Sequence, residues 1–125
     1  MSLVLDSGGL IAFDRGDREV AALVEVTRRR RQPVLTSSGC VAQTWRGGSR
    51  QALLARLLRG AHEYGLNPEG SRAVGELCGT TGSSDVVDAH LALLARDPDT
   101  VLTSDVNDLR KLLRATGSLA QVKRC

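Results

Sequence analysis

The stretch VLTSDVNDL, residues 101–109, runs from an apolar segment directly into two aspartates. Its first four residues have the composition of a short strand in a sheet that is covered on both faces. Asp105 and Asp108 follow at the point where an amphipathic helix, DVNDLRKLLRATG, begins. Taken alone, these aspartates are explained more simply as helix caps than as ligands. A functional interpretation depends on the other carboxylates of the chain.

Short apolar strands alternate with amphipathic helices along the whole chain. Strands are predicted at residues 3–5, 34–36, 62–66, 101–104 and 119–123, and the clearest helices at 17–31, 49–60 and 83–97. This alternation predicts an α/β fold in which helices cover both faces of a mostly parallel central sheet of about four to five strands. A length of 125 residues fits one domain that spans residues 1–125.

Composition indicates a globular protein without a membrane span. Hydrophobic residues make up 42% of the chain and charged residues 25%, and no apolar run approaches the roughly 18 residues that a bilayer requires. The N-terminal sequence MSLVLDSGG lacks the basic region and long apolar stretch of a signal peptide, so we expect a cytoplasmic location. The three cysteines and two histidines match neither a zinc site nor a disulfide framework.

The net charge of +3 arises almost entirely from arginine. Arginine favours bidentate contacts with phosphate, which suggests nucleic acid as a partner. A GC-rich genome, which encodes arginine in place of lysine, explains the same composition equally well.

Two further aspartates are harder to explain as caps. Asp6 directly follows the apolar strand LVL, and functional groups in parallel α/β sheets collect beyond the carboxyl ends of the strands. Asp88 lies in the otherwise apolar helix VVDAHLALLA, where a buried carboxylate needs a cation or hydrogen-bond donors. Asp85, which alone would be a cap, lies one turn earlier on the same helical face. Several carboxylates at one sheet edge would form an oxygen site suited to Mg²⁺ or Mn²⁺.

Four stretches together resemble the PIN-domain ribonucleases, and in particular the VapC-like toxins of bacterial toxin–antitoxin pairs. They are LVLDSGGLIAF, VAQTWRGG, DVVDAHLALLA and VLTSDVNDL, which occur in the family's order between residue 3 and about residue 113. The resemblance implies a PIN-like three-layer α/β/α sandwich and metal-dependent endonucleolytic cleavage of RNA, with one or two Mg²⁺ or Mn²⁺ ions as cofactor. It also implies a small cognate antitoxin as partner and a homodimer.

The resemblance also implies roles for individual acidic residues. Asp6, Asp88 and Asp105 would be the catalytic residues and the core metal ligands. Asp85 and Asp108 would bind the metal through water or orient the nucleophile.

Other residues would support this centre. Gln43 stands where the family commonly has an acid, and its amide can coordinate a metal through oxygen or orient a water but lacks the negative charge. Ser7 and Ser104 would support the ligands by hydrogen bonding or would cap helices. Arg46 and Arg50 are candidates for RNA backbone contacts, and a solvated basic helix face is the alternative.

Two other functions compete with an active ribonuclease. One is a catalytically weakened PIN-like module that binds RNA or a protein, because Gln43 removes a charge. The other is an unrelated phosphotransfer or receiver-like α/β domain with an aspartate cluster. That class usually has a lysine near its site, whereas the two lysines of this chain, Lys111 and Lys123, both occur late.

Overall fold

The computed structural model describes residues 1–125 as an α/β structure whose elements follow the predicted order. The strands are β1 (Leu3–Leu5), β2 (Val34–Ser37), β3 (His62–Tyr64), β4 (Thr100–Thr103) and β5 (Gln121–Arg124). The helices are α1 (Ser7–Asp14), α2 (Arg18–Arg29), α3 (Ser38–Thr44), α4 (Ala52–Arg59), α5 (Pro68–Thr81), α6 (Val86–Leu94) and α7 (Val106–Thr116), and a 3-10 turn (Ser49–Gln51) precedes α4.

The five strands form one sheet in the order β3-β2-β1-β4-β5, and every neighbouring pair is parallel. Strand β1 lies at the centre and its three residues are fully buried, as expected for an apolar strand covered on both faces. The edge strand β3, which has no buried residue, is nevertheless present at the predicted position. The predicted sheet of four to five strands is confirmed, and its strands are all parallel.

Helices cover the sheet in two groups. Helices α2, α3 and α4 each pack against α1, and α5, α6 and α7 pack against one another. One cluster of 22 buried residues, mostly leucine and valine, forms the core between the helices and the sheet. Branched aliphatic side chains thus fill the interior of a chain with only 2% aromatic residues. None of the helices combines the length and the apolar character needed to cross a bilayer.

Several predicted boundaries differ from the structure; strand β5, for example, is Gln121–Arg124 and not 119–123. Strand β4 begins and ends one residue before the predicted 101–104. Helix α6 is shorter than the predicted 83–97, because Asp85 caps its start and the chain leaves the helix ahead of Pro98, which disfavours helical backbone before it. The predicted helix at 49–60 opens with a 3-10 turn.

Candidate functional site

A row of polar residues crosses the carboxyl edge of the sheet at one level. From one edge strand to the other it reads Tyr64, Ser37, Asp6, Thr103 and Arg124. The strand register pairs Ser37 with Tyr64 and, on the other side, Thr103 with Arg124. Asp6 is level with them because it directly follows β1, which is in parallel register with both β2 and β4. Since register neighbours point to the same face of a sheet, their side chains form one continuous polar edge.

Asp6 occupies the centre of this row and is only 3% exposed. Its carboxylate caps α1, accepting a hydrogen bond of 2.8 Å from the backbone N–H of Gly9. Burial raises the pKa of Asp6, while hydrogen bonds from the Thr103 hydroxyl and from the N–H groups of Gly9, Gly8 and Ser104 oppose that shift. Asp6 is therefore both a helix cap and a buried acid held in one orientation.

The sequence prediction named Ser104 as a supporting hydroxyl, but the hydroxyl that contacts the acids belongs to Thr103. Thr103 is fully buried, and its Oγ1 accepts a hydrogen bond of 2.9 Å from the backbone N–H of Asp105, while its hydroxyl opposes the rise in the pKa of Asp6. Ser104 is exposed, and its side chain lies against Gly8. In the sequence, the Thr-x-Asp spacing of residues 103–105 indicates this role for Thr103, because a threonine side chain can accept a hydrogen bond from the backbone N–H two residues later.

Replacing Thr103 by valine should destabilise the protein by about 2 kcal/mol, because the Asp6 carboxylate loses a hydrogen bond and a buried site loses its acceptor. Urea unfolding at 25 °C measures this cost. Ser104→Ala is the matched control, since its hydroxyl makes no hydrogen bond, and we expect it to cost under about 0.5 kcal/mol. Equal costs for the two variants would contradict the assignment of the supporting hydroxyl to Thr103.

Asp88, Asp105 and Asp108 form the carboxylate cluster of this edge. One carboxylate oxygen from each lies within 4.8 Å of the others. Asp105 occupies the cap position of α7, but its side chain makes no capping hydrogen bond. Its carboxylate is therefore not committed to the helix start, unlike that of Asp85, which accepts a hydrogen bond of 3.0 Å from the N–H of Asp88 and caps α6.

Burial, hydrogen bonding and neighbouring negative charges raise the pKa values of two acids in the cluster. The pKa of Asp88 is raised to about 7, first by burial and then by the negative charges of Asp85, Asp6 and Asp105. The pKa of Asp108 is raised by its side-chain hydrogen bond with Asp105 and by the charge of Asp105. Because Asp6 and Asp85 both contribute to the raised pKa of Asp88, they lie near the cluster without belonging to it.

The donor set fits a hard divalent cation. Oxygens that share one Mg²⁺ at about 2.1 Å lie roughly 3–4 Å apart, so the 4.8 Å limit within the cluster closes with small side-chain rotations. Crowded carboxylates with raised pKa values gain most from a cation, because its charge offsets their repulsion. Asp88, Asp105 and Asp108 are thus the residues best placed to hold such an ion, with Asp6 behind them.

Gln43 and Ser7 lie beside this edge without a fixed role in it. The amide of Gln43 is exposed and makes no hydrogen bond, while only its backbone carbonyl is used, by Arg46. Gly39, one turn earlier on the same face of α3, lies against Val87 of α6, so this face of α3 is turned toward the helix that carries Asp88. Ser7 begins α1, and its backbone contacts the buried Cys40 thiol.

The two arginines predicted to contact RNA differ in their surroundings. Arg46 donates three hydrogen bonds of 2.8–3.3 Å to backbone carbonyls at the end of α3, where α3 leaves unpaired acceptors. Its guanidinium is thereby committed to capping the helix. Arg50 lies exposed in the 3-10 turn with no side-chain hydrogen bond.

Comparison with solved structures identifies a similar fold. The chain matches the crystal structure of VapBC2 from Rickettsia felis bound to a DNA fragment from their promoter, with a TM-score of 0.69 and 14% sequence identity over 100% of this chain and 99% of that chain. No family model matches the sequence. No curated protein matches it either. At this identity the likeness establishes the fold alone, and it confirms the predicted PIN-like α/β architecture.

Proposed function

We propose that the protein is a metal-dependent endoribonuclease and the toxin of a toxin–antitoxin pair. The observation that carries the proposal is the carboxylate cluster, Asp88, Asp105 and Asp108, at the carboxyl edge of a parallel sheet with the buried Asp6 beside it. The fold shared with VapBC2 and the four sequence stretches that resemble VapC-like toxins support the same function.

Each side chain would have a distinct part in phosphodiester hydrolysis. A bound Mg²⁺ or Mn²⁺ supplies an activated water and offsets charge on the phosphate. One or two metal ions would be held by Asp88, Asp105 and Asp108. Asp6, fixed by its hydrogen bonds, would orient that centre from the sheet side.

The direct test is cleavage of a fluorescently labelled single-stranded RNA by the purified protein. We expect cleavage with Mn²⁺ or Mg²⁺ and none with EDTA. Several unrelated RNAs left intact with both metals would refute the enzymatic part of the proposal. Co-purification with the product of a neighbouring short reading frame, and light scattering of the purified protein, would test the proposed antitoxin and the proposed homodimer.

Gln43 favours a second candidate function, a PIN-like module that binds RNA or a protein with weakened catalysis. Its exposed and unbonded amide stands where the family commonly has an acid, which leaves the centre one charge short. If the amide weakens the site, Gln43→Glu should tighten Mn²⁺ binding about 3- to 10-fold, because an added carboxylate attracts the ion.

Calorimetric titration with Mn²⁺ measures this affinity, and the RNA assay measures the accompanying rate. A gain in both would establish the weakened module. An unchanged affinity and rate would show that the amide belongs to a working site. Gln51→Glu is unsuitable as a control because Gln51 bonds the 44–47 segment. The exposed Gln121→Glu, which adds the same charge at the opposite end of the sheet, serves as the control for a general change in charge.

A further inference from the structure

The carboxylate edge can accept a nucleic acid strand only where positive charge offsets its negative charge. Five aspartates lie at or near this edge, and their field repels phosphate until bound metal and neighbouring basic groups offset it. Arg46 and Arg50 were the predicted contacts; Arg46 donates three hydrogen bonds to backbone carbonyls at the end of α3, and Arg50 is exposed and unbonded. A further basic side chain, Arg124, lies on this edge.

Arg124 ends the polar row on the β5 side. It is the register partner of Thr103, so its side chain starts on the same face of the sheet as Thr103 and Asp6, about one strand spacing of 5 Å from Thr103. Its Nη1 donates one hydrogen bond of 3.1 Å to the carbonyl of Ser104, the residue directly before Asp105. This bond holds the guanidinium beside the cluster.

The remaining donors of Arg124 are available to a ligand. The side chain is exposed and makes no other hydrogen bond and no ion pair. Arginine presents five N–H groups, so one bond to Ser104 leaves enough for a bidentate phosphate contact. The guanidinium is thus anchored at one nitrogen and open at the others.

We propose that Arg124 binds a backbone phosphate of the RNA strand that flanks the phosphate at the carboxylate cluster. This inference rests on the proposed function, since it concerns the substrate of that same site. Arg124 positions the strand at the carboxyl edge of the sheet, beside the segment that carries Asp105. It contacts the phosphate backbone and not the bases, so it contributes affinity without sequence preference.

The test is binding of a fluorescein-labelled single-stranded RNA, followed by anisotropy with Ca²⁺ in place of Mg²⁺ or Mn²⁺, and a gel confirms that the RNA stays intact. Arg124→Gln should weaken binding about 10-fold at 100 mM salt, and it should lower the slope of log affinity against log salt by about 1. Lys123→Gln is the matched control. It removes one charge from the same strand, but its register partner Leu102 faces α1, so its affinity should stay within about 2-fold of the unmodified protein.

Arg124→Lys separates phosphate binding from the contact with Ser104. It should keep the salt slope and lose only about 2- to 3-fold in affinity, because the charge stays and the bidentate geometry goes. An equal loss in Arg124→Gln and Lys123→Gln, or a reduced salt slope in Arg124→Lys, would overturn the assignment. Thermal unfolding of all three variants checks that the fold is intact.

The outcomes distinguish this inference from the proposed function. RNA cleavage by the unmodified protein, together with unchanged binding by Arg124→Gln, would overturn the role of Arg124 and leave the ribonuclease standing. Arg124-dependent binding without cleavage in Mn²⁺ would establish the phosphate contact and refute the catalysis. An unmodified protein that binds no RNA at low salt would refute both.

Discussion

Replacing Asp105 by asparagine is expected to lower metal-dependent RNA cleavage by about 100-fold or more and to leave the fold intact. The Asp105 carboxylate is exposed and makes no capping hydrogen bond, so its removal costs the folded state little. Its oxygen is nonetheless one of the three in the carboxylate cluster. Loss of a charged metal ligand removes transition-state stabilisation of roughly 3 kcal/mol, which corresponds to about 100-fold in rate.

The rate is measured on labelled single-stranded RNA at saturating Mn²⁺, and thermal unfolding is followed in parallel. Glu76→Gln is the matched control, since it makes the same change of charge at an exposed position on α5, and it should retain the full rate. An Asp105→Asn protein with a normal melting temperature and at least half of the original activity would show that Asp105 does not hold the catalytic metal.

The arrangement of strands and helices could be predicted from hydrophobic periodicity because each strand of the core is an uninterrupted apolar run between turns. The LVL run of β1 and the VLT run of β2 are of this kind, and both are buried. Strand β3 has no buried side chain, so the sequence indicates it only through its place between two helices. An edge strand has one neighbour and needs no apolar face to remain in the sheet.

The supporting hydroxyl shows why site details are harder to predict than the fold. Adjacent residues of a strand point to opposite faces, and the pairing of Leu5 with Leu102 places Thr103, not Ser104, on the face that carries Asp6. The residue types near the site can be read from the sequence, but the pairing of the strands decides which of them contacts the acids. The position of Arg124 likewise follows only from the pairing of β5 with β4, which places it beside Thr103.

The contribution of Arg46 depends on local helix geometry. Its position after α3 suggested a contact with RNA, whereas the way α3 ends leaves carbonyls that the guanidinium caps. Asp6 is both a helix cap and a candidate site residue. It caps α1, as aspartates before helices often do, and it is buried at the centre of the polar row.

Asp88→Asn should stabilise the metal-free protein at pH 7.5, and by only about a third as much at pH 5. The pKa of Asp88 is raised from 3.8 to about 7 in the folded state, so between these values the folded protein binds more protons than the unfolded chain. Protonated Asp88 therefore contributes its full stabilisation below the unfolded-state pKa of 3.8, and this stabilisation is lost as the pH rises from there to about 7. Asparagine cannot ionise, so it removes that loss.

Because Asp88 is only half-buried, solvent screening reduces the expected effect to about 1–2 kcal/mol, or roughly 4–8 °C in melting temperature at pH 7.5 in EDTA. Adding Mn²⁺ at pH 7.5 should reverse the order of the two proteins, because the ion stabilises the charged cluster of the unmodified protein by mass action and finds one ligand fewer in the variant. Glu76→Gln should follow the unmodified protein in every condition. Identical melting temperatures for Asp88→Asn and the unmodified protein at both pH values would show that Asp88 is ionised throughout, and that the repulsion at this edge is too weak to recruit a cation.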